Sequence, residues 1–269
     1  MNALELAILS YLLNSLWQVP LLFATGWLAA RMLRSAGPAA QHCVWVGAVL
    51  LQTLLPACSL VSMEWLRSVL LWSSREGAAT AGGVSAVTGP GVAAGVSHLP
   101  ASLLFAVEIF YGSSIAYFLL RFLWRARVLA ALRREAIKFV LTDDAAEYWE
   151  RCSTTFGVRG ATLAASSAVF GPVMMGVRRK LVLLPAAMVD TLEQADLETV
   201  IAHEFAHMHR QDFLKNLAYE LISLPVRYHP IFWLTREALI ESREMVCDQM
   251  AAKSPGDESM RILYCGWRP

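Results

Sequence analysis

Two histidines and a glutamate in the stretch His-Glu-Phe-Ala-His, residues 203–207, are the residues of this sequence best suited to chemistry. A helix brings residues i and i+4 onto one face, so His203 and His207 could bind one metal ion together. In the H-E-x-x-H pattern the two imidazoles bind Zn²⁺ at about 2.0–2.1 Å, and the glutamate, here Glu204, lies beside the metal's water. The alternative is a chance pair of histidines on an exposed helix.

A catalytic zinc site needs a third protein ligand, and the stretch ESREMVCDQMA, residues 241–251, offers three acids. Glu244 and Asp248 are four residues apart in a segment without proline or glycine, so a helix would place them on one face. One carboxylate could bind the metal while the other accepts a hydrogen bond from a ligand histidine. The competing interpretation is a solvated acidic face paired with Arg236 or Arg243.

Charged residues surround the H-E-x-x-H motif on both sides. His209 lies about 200° round a helix from His207, so we expect it at the surface and away from the metal. Arg210 and Asp212 would brace the C-terminal half of the helix. Intramembrane proteolysis, in which the motif lies within a span, is disfavoured because this helix is too charged for lipid. The flanking charged residues are Glu193, Asp196, Glu198, Arg210, Asp212 and Lys215.

The first 124 residues have the composition of membrane spans. Of the whole chain, 56% of residues are hydrophobic and 17% are charged, against about 45–50% and about 25% in ordinary globular proteins. Uncharged runs cover residues 6–30 and 43–63, and a third over 99–120 contains only Glu108. Each run can cross a hydrocarbon core about 30 Å thick. Glu108 is either a functional residue inside the membrane or a neutral carboxyl against a neighbouring helix.

Basic residues flank the predicted spans unevenly. None precedes Arg31, which favours a membrane anchor over a cleavable signal peptide. Arg31 and Arg34 follow the first run and six basic residues follow the third, whereas the loop 64–98 has only Arg67 and Arg75. The positive-inside rule then places the N-terminus outside and the chain after about residue 125 in the cytoplasm. The outer loop is rich in glycine, alanine and serine and is predicted to be a flexible connector.

Cysteine usage argues against two kinds of site, whereas the net charge is uninformative. The net charge of +1 gives no indication of direct nucleic-acid binding. The cysteines are odd in number and have no C-x-x-C spacing, so neither a disulfide framework nor a thiolate zinc site is predicted. We expect free thiols that behave as small hydrophobic residues. They are Cys43, Cys58, Cys152, Cys247 and Cys265.

Residues 125–269 have the mixed composition of a folded domain outside the membrane. Residues 126–152 favour one or two helices, and residues 161–185, with β-branched and small residues around a Gly-Pro break, favour two or three strands. A helical period begins near Thr191 and continues to about residue 252. The predicted fold class is therefore a membrane protein with three N-terminal transmembrane helices in residues 1–124, followed by an α+β, mainly helical domain with a small sheet.

Three blocks of sequence resemble the M56 family of membrane-anchored zinc metallopeptidases, which includes bacterial signal transducers of the β-lactam receptor type. They are HEFAHMHRQDFLKN at 203–216, RYHPIFW at 227–233 and ESREMVCDQMA at 241–251. The preceding segment FGPVMMGVRRKLVLLP is similar to the family's strand segment. Specific motifs cover about residues 165–252, and the remainder matches through its hydropathy layout. The His-Pro pair and the R-E-x-x-C-D core favour this family over prenyl-protein-type membrane peptidases, which share the two zinc motifs.

The resemblance implies a site, a cofactor and an activity. His203, His207 and Glu244 would be the ligands of Zn²⁺, Glu204 the general base, and Asp248 the hydrogen-bond partner of a ligand histidine. The implied activity is endopeptidase cleavage of a cytoplasmic protein, in the receptor members a DNA-binding repressor, or of the chain itself. The implied location is the bacterial inner membrane, with the zinc domain in the cytoplasm.

Other features leave the catalytic competence of the chain open. Tyr228 or His229 could donate a hydrogen bond to the developing oxyanion, although His229 before Pro230 suits a turn equally well. The family usually has a fourth span, and its sensor members an extracellular penicillin-binding domain. The sequence has neither, so we expect a truncated chain. It also has no S-x-x-K acylation motif, so we do not expect covalent binding of a β-lactam within this chain. The competing function is a membrane signalling or scaffold protein whose zinc is structural, closed by a fourth ligand such as His209 or Asp248.

Overall fold

The structure, a computed structural model, describes residues 3–58, 100–139, 141–189 and 193–253. This part of the chain is mostly helical and contains a small mixed sheet. Its α-helices are α1 (Ala3–Met32), α2 (Pro38–Cys58), α3 (Ala101–Glu135), α4 (Asp143–Thr155), α5 (Ala186–Val189), α6 (Gln194–Arg210), α7 (Asp212–Ile222) and α8 (Pro230–Ala251). Its strands are β1 (Ile137–Lys138), β2 (Thr162–Ser166), β3 (Val173–Met175) and β4 (Leu181–Pro185).

Three of the described helices, α1, α2 and α3, are long and apolar enough to cross a membrane, as the sequence predicts. Helix α1 extends beyond 6–30 at both ends, α2 is described as far as Cys58, and the predicted loop 64–98 lies outside the described residues. Helix α3 continues past residue 120 to Glu135 because its second half is rich in the helix formers alanine, leucine and arginine. Within the described part, the buried Oε1 of Glu108 has no hydrogen-bond partner.

The first of two compact units comprises residues 1–120 and 222–240. Buried polar side chains link its helices. Gln52, which is fully buried, donates from Nε2 to the Val19 carbonyl at 3.1 Å and to Thr235 Oγ1 at 2.9 Å. Such hydrogen bonds are typical between membrane helices. The sequence-based boundary after residue 124 did not group residues 222–240 with the spans, because these contacts join residues far apart in the chain.

The second unit comprises residues 121–221 and 241–269 and contains the sheet. The strand order is β1-β2-β4-β3, with β2 and β4 parallel and the two outer pairs antiparallel. The prediction of two or three strands within 161–185 is confirmed by β2, β3 and β4, and β1 adds a two-residue edge strand in a segment expected to be helical. The turn before β4 needs Gly176, whose φ is 98°, since a side chain there would overlap the Arg179 carbonyl.

The core of the second unit is built by α4, α6 and α8 together with β2 and β4. Phe205 of α6 is fully buried at its centre. Its ring lies edge-on to Trp149, with ring centroids 4.8 Å apart, and stacks against Phe156 at 6.3 Å. This packing fixes the rotation of α6 and therefore decides where its polar residues lie.

Candidate metal centre

Helix α6 carries its histidines away from the apolar stripe that enters the core. Ile201, Phe205 and Met208 are buried at spacings of four and three residues, which defines one helical face. His203 and His207 are each two positions away from Phe205, which corresponds to about 200° round the helix. Burial of the stripe therefore presents both imidazoles together on another face.

Two imidazole nitrogens and one carboxylate oxygen converge beside α6. His203 Nε2 and His207 Nε2 are 3.0 Å apart, and Glu244 Oε2 from α8 lies 3.5 Å from the first and 3.2 Å from the second. Ligands that each lie about 2.0–2.1 Å from a tetrahedral Zn²⁺ are about 3.3–3.4 Å from one another. The donor types and their spacing therefore fit a single zinc ion with only small adjustments.

The other ring nitrogen of each histidine faces a carboxylate. His203 Nδ1 is 3.0 Å from Asp248 Oδ1, and His207 Nδ1 is 2.9 Å from Asp212 Oδ2. A carboxylate that accepts the Nδ1–H hydrogen bond orients the ring and leaves the Nε2 lone pair for a metal. The family resemblance implied this partner role for Asp248. The role of Asp212 was missed, since this residue was expected only to brace the helix.

A second group of possible ligand atoms shares His207. Cys247 Sγ lies 3.2 Å from His207 Nδ1 and 3.3 Å from Asp212 Oδ2. Arg210 Nε donates to both Asp212 oxygens at 3.2 Å, and this positive charge disfavours a second cation there. The group is therefore a hydrogen-bonded cluster on the Nδ1 side of His207, opposite the candidate metal-binding nitrogen. Cys247 is buried and free, as expected, but its polar contacts were not anticipated, although it lies on the helix face of Glu244, three residues earlier.

The carboxylates shift the pKa values of the metal-free site. Burial alone would lower the pKa of His203, but hydrogen bonds with Asp248 and Glu244 outweigh burial and raise this pKa to about 9. Burial is also outweighed at His207, where the hydrogen bond with Asp212 leads a set that raises the pKa to about 12. Burial opposes ionisation of Glu244, yet both histidines hold its pKa well below the usual value. A metal ion must therefore displace protons from both imidazoles.

Glu204 occupies the position between the two histidines along α6. Its side chain is buried, with the residue 6% exposed. Burial raises the pKa of its carboxyl group, and the neighbouring histidines oppose this rise. A carboxyl group whose pKa lies above the usual range can both accept a proton and return it, as general acid–base catalysis requires.

Three other residues considered from the sequence, His209, Tyr228 and His229, make contacts outside the group of His203, His207 and Glu244. His209 is exposed and its Nδ1 donates to the Phe156 carbonyl at 2.6 Å, so its predicted position away from the two ligand histidines holds. Tyr228 and His229 belong to the first unit. The Tyr228 hydroxyl shares a hydrogen bond with the Ser15 hydroxyl, and His229 is buried. Their role as oxyanion stabilisers stays a prediction.

Comparison with known proteins assigns the family. The sequence profile described as BlaR1 peptidase M56 matches residues 16–264. The chain belongs to the M56 peptidase family. It is similar to proteins named methicillin resistance mecR1 protein from Staphylococcus aureus (strain Mu50 / ATCC 700699), from Staphylococcus aureus and from Staphylococcus epidermidis. Each is 25% identical over 92 residues, which is 34% of this chain and 16% of the relative.

Membership of M56 decides between the family-level alternatives. The prenyl-protein-type interpretation is set aside, because the M56 profile covers nearly the whole chain. Three described helices that are apolar enough to cross a membrane, together with the similarity to mecR1 proteins, indicate a membrane protein. The matched segment spans 16% of these relatives' own length.

Proposed function

We propose that this M56 member is a membrane-anchored zinc endopeptidase in signal transduction. Its substrate is a cytoplasmic protein, with a DNA-binding repressor as the leading candidate, or the chain itself. The observation that carries the proposal is the convergence of His203 Nε2, His207 Nε2 and Glu244 Oε2 within 3.0–3.5 Å of one another. We further propose that the N-terminus faces outward and the second unit lies in the cytoplasm, at the bacterial inner membrane.

The chain's own residues divide the work of hydrolysis. His203, His207 and Glu244 would hold the ion, while Asp248 fixes the orientation of the first imidazole. Zinc, when bound there, supplies Lewis acidity that activates water and polarises the scissile carbonyl. Glu204 takes the proton from the attacking water as the new C–O bond forms. It returns that proton to the leaving amine nitrogen as the C–N bond breaks.

The number of protein ligands supports an open, catalytic centre. Structural zinc sites are closed by four protein ligands, whereas catalytic sites keep one position for water. Within the described ranges, three ligand atoms meet on the Nε2 side of the two histidines. Asp248 faces His203 through the opposite nitrogen, Nδ1, and this contact supports an orienting role rather than a ligand role.

The competing function is a signalling or scaffold protein with a structural zinc site. The observation in its favour is Cys247, whose Sγ lies 3.2 Å from His207 Nδ1. Cysteine sulfur is a common ligand of structural zinc. A rotation of the His207 ring would be needed before the same ion could meet this sulfur and Glu244, and the hydrogen bond with Asp212 opposes such a rotation.

The test compares the full-length chain with its Glu204→Gln variant in lipid vesicles. Zinc content is measured by mass spectrometry of the metal, and cleavage is measured on the chain itself and on repressors encoded beside its gene. We expect equal zinc content and loss of cleavage by about 10²-fold or more in the variant. Glu241→Gln, an exposed acid on α8, is the matched control and should cleave normally. Cleavage by Glu204→Gln at the wild-type rate would overturn the proposal.

A further inference from the structure

Asp212 is a buried carboxylate with an unusually complete set of partners. The residue is 4% exposed. Its Oδ2 lies 2.9 Å from His207 Nδ1, and Arg210 Nε donates to both oxygens at 3.2 Å. The Cys247 thiol donates to Oδ2 at 3.3 Å. Burial of a charge is costly unless such partners are present, so this cluster is specifically built.

A left-handed residue brings Asp212 to His207. Helix α6 ends at Arg210, and Gln211 then adopts φ 57° and ψ 37°, the positive-φ conformation that a non-glycine residue adopts at some cost. Had the helix continued, Asp212 would lie five positions beyond His207, about 140° round the axis. The turn at Gln211 instead directs the chain back, and the carboxylate meets the Nδ1 side of the imidazole.

Cys247 connects this cluster to the helix that carries the third ligand. Cys247 and Glu244 are three residues apart on α8 and therefore share a face. Cys247 is fully buried in the core of the second unit. Its contact with Asp212 thus ties the start of α7 to the same side of α8 from which Glu244 reaches the two histidines.

We propose that Asp212 is a positioning residue of the metal centre, held in place by Cys247 and Arg210. Asp212 accepts the Nδ1–H hydrogen bond of His207 and so directs the Nε2 lone pair toward the ion. The thiol of Cys247 donates to the same carboxylate and so helps to hold α8 in its position beside α6. This inference rests on the proposed zinc site, because it assigns a role toward the same ion.

The experiment measures zinc dissociation constants of the full chain in detergent by competition with a chelator. Loss of a carboxylate that orients a ligand histidine typically costs about 10–100-fold in metal affinity. Because Asp212 is buried, we expect Asp212→Asn to fall at the upper end of that range. Cys247→Ala should weaken binding by a smaller factor, and Cys247→Ser, which keeps a donor, should bind more tightly than Cys247→Ala. Glu241→Gln is the control and should bind as wild type does.

A second readout separates positioning from general loss of structure. The visible spectrum of the Co²⁺-substituted protein reports coordination geometry, and we expect it to change in Asp212→Asn at saturating metal. If Asp212→Asn fails to fold, Asp212→Glu keeps the charge and displaces the oxygens by one methylene. It should also weaken zinc binding and alter the spectrum. Wild-type affinity together with an unchanged spectrum, in whichever of these two variants folds, would overturn the positioning role.

The two hypotheses fail in different ways. If wild type binds no zinc, or His203→Ala binds it equally well, the proposed metal centre is wrong and the inference falls with it. If His203→Ala loses zinc while Asp212→Asn and Cys247→Ala keep wild-type affinity, the metal centre stands and only the positioning role is refuted.

Discussion

Replacement of Phe205 by alanine tests whether the core holds the metal-binding helix in place. Phe205 lies between the two histidines along α6 but points into the core, where it contacts the rings of Trp149 and Phe156. Truncation of a fully buried phenylalanine costs about 3–5 kcal/mol, which includes the lost aromatic pairs. Each 1.4 kcal/mol changes an equilibrium constant by a factor of ten. The locally unfolded state of α6, in which its amide hydrogens exchange, should therefore become about 100-fold more populated or more.

Amide hydrogen exchange of α6, followed by mass spectrometry, measures this population in the full chain. We expect exchange in the zinc-free Phe205→Ala variant to be faster by about 100-fold or more. Zinc at about a hundred times its dissociation constant stabilises the folded state by about 2.7 kcal/mol, so it should slow exchange about 100-fold in both proteins. The variant keeps every proposed ligand, and zinc should therefore offset most of the damage.

Phe170→Ala is the matched control, because the same atoms are removed from a residue that is fully exposed, at 102% of its reference surface. Its effect on exchange in α6 should stay within about threefold. If Phe205→Ala were as mild as this control, α6 would not be held by the core as described. If zinc slowed exchange in neither protein, the two histidines of α6 would not bind the ion.

Two further predictions concern the proposed zinc site, and one concerns the first unit. Asp248→Asn should weaken zinc binding about tenfold in a chelator competition. The loss is modest because the Asp248 side chain is 45% exposed, so water can replace it as the partner of His203. Unchanged affinity would contradict its orienting role. Zinc affinity should rise with pH from 6 to 8, because the raised pKa values of His203 and His207 mean that zinc must displace protons from both imidazoles. Calorimetry in buffers of different ionisation enthalpy should detect the released protons. A zinc affinity that does not change with pH would contradict this prediction. Thr235→Val, which removes an acceptor from Gln52, should lower the free energy of unfolding in detergent by about 1 kcal/mol, and an equal or greater stability would refute that contact's importance.

The raised pKa of His203 also affects the stability of the zinc-free protein. The pKa of His203 is about 9 in the folded state and about 6.5 in an unfolded chain. The proton is therefore bound more tightly by the folded state, and this contribution to stability is fully present below about pH 6.5. It is lost as the pH rises through about 9. Thermal unfolding of the zinc-free chain should accordingly occur at lower temperature at pH 9.5 than at pH 6.5.

The proposed ligands were predictable because they depend on local spacing. His203 and His207 are four residues apart on one helix, and Glu244 and Asp248 are four apart on another. The period of the helix therefore decides which side chains share a face. Local spacing does not show that these two helix faces meet, and only the family resemblance implied that they do.

Other parts of the structure depend on contacts that leave no local pattern. The approach of Asp212 to His207 requires a left-handed conformation at Gln211, a residue type that gives no signal of such a turn. The grouping of residues 222–240 with the spans requires side-chain contacts such as that of Gln52 with Thr235. Hydropathy predicted the number of spans in the described part but placed the end of α3 too early, since a helix continues where the apolar run stops.

X-ray absorption at the zinc edge of the zinc-loaded chain identifies the atoms that bind the ion and so distinguishes an open peptidase centre from a closed structural site. We expect two imidazole nitrogens and light oxygen ligands at about 2.0–2.2 Å, from Glu244 and from water, with no sulfur bound to the metal. The same spectrum of Glu244→Gln should show altered coordination. A sulfur ligand at about 2.3 Å would place Cys247 on the metal and contradict the open peptidase centre.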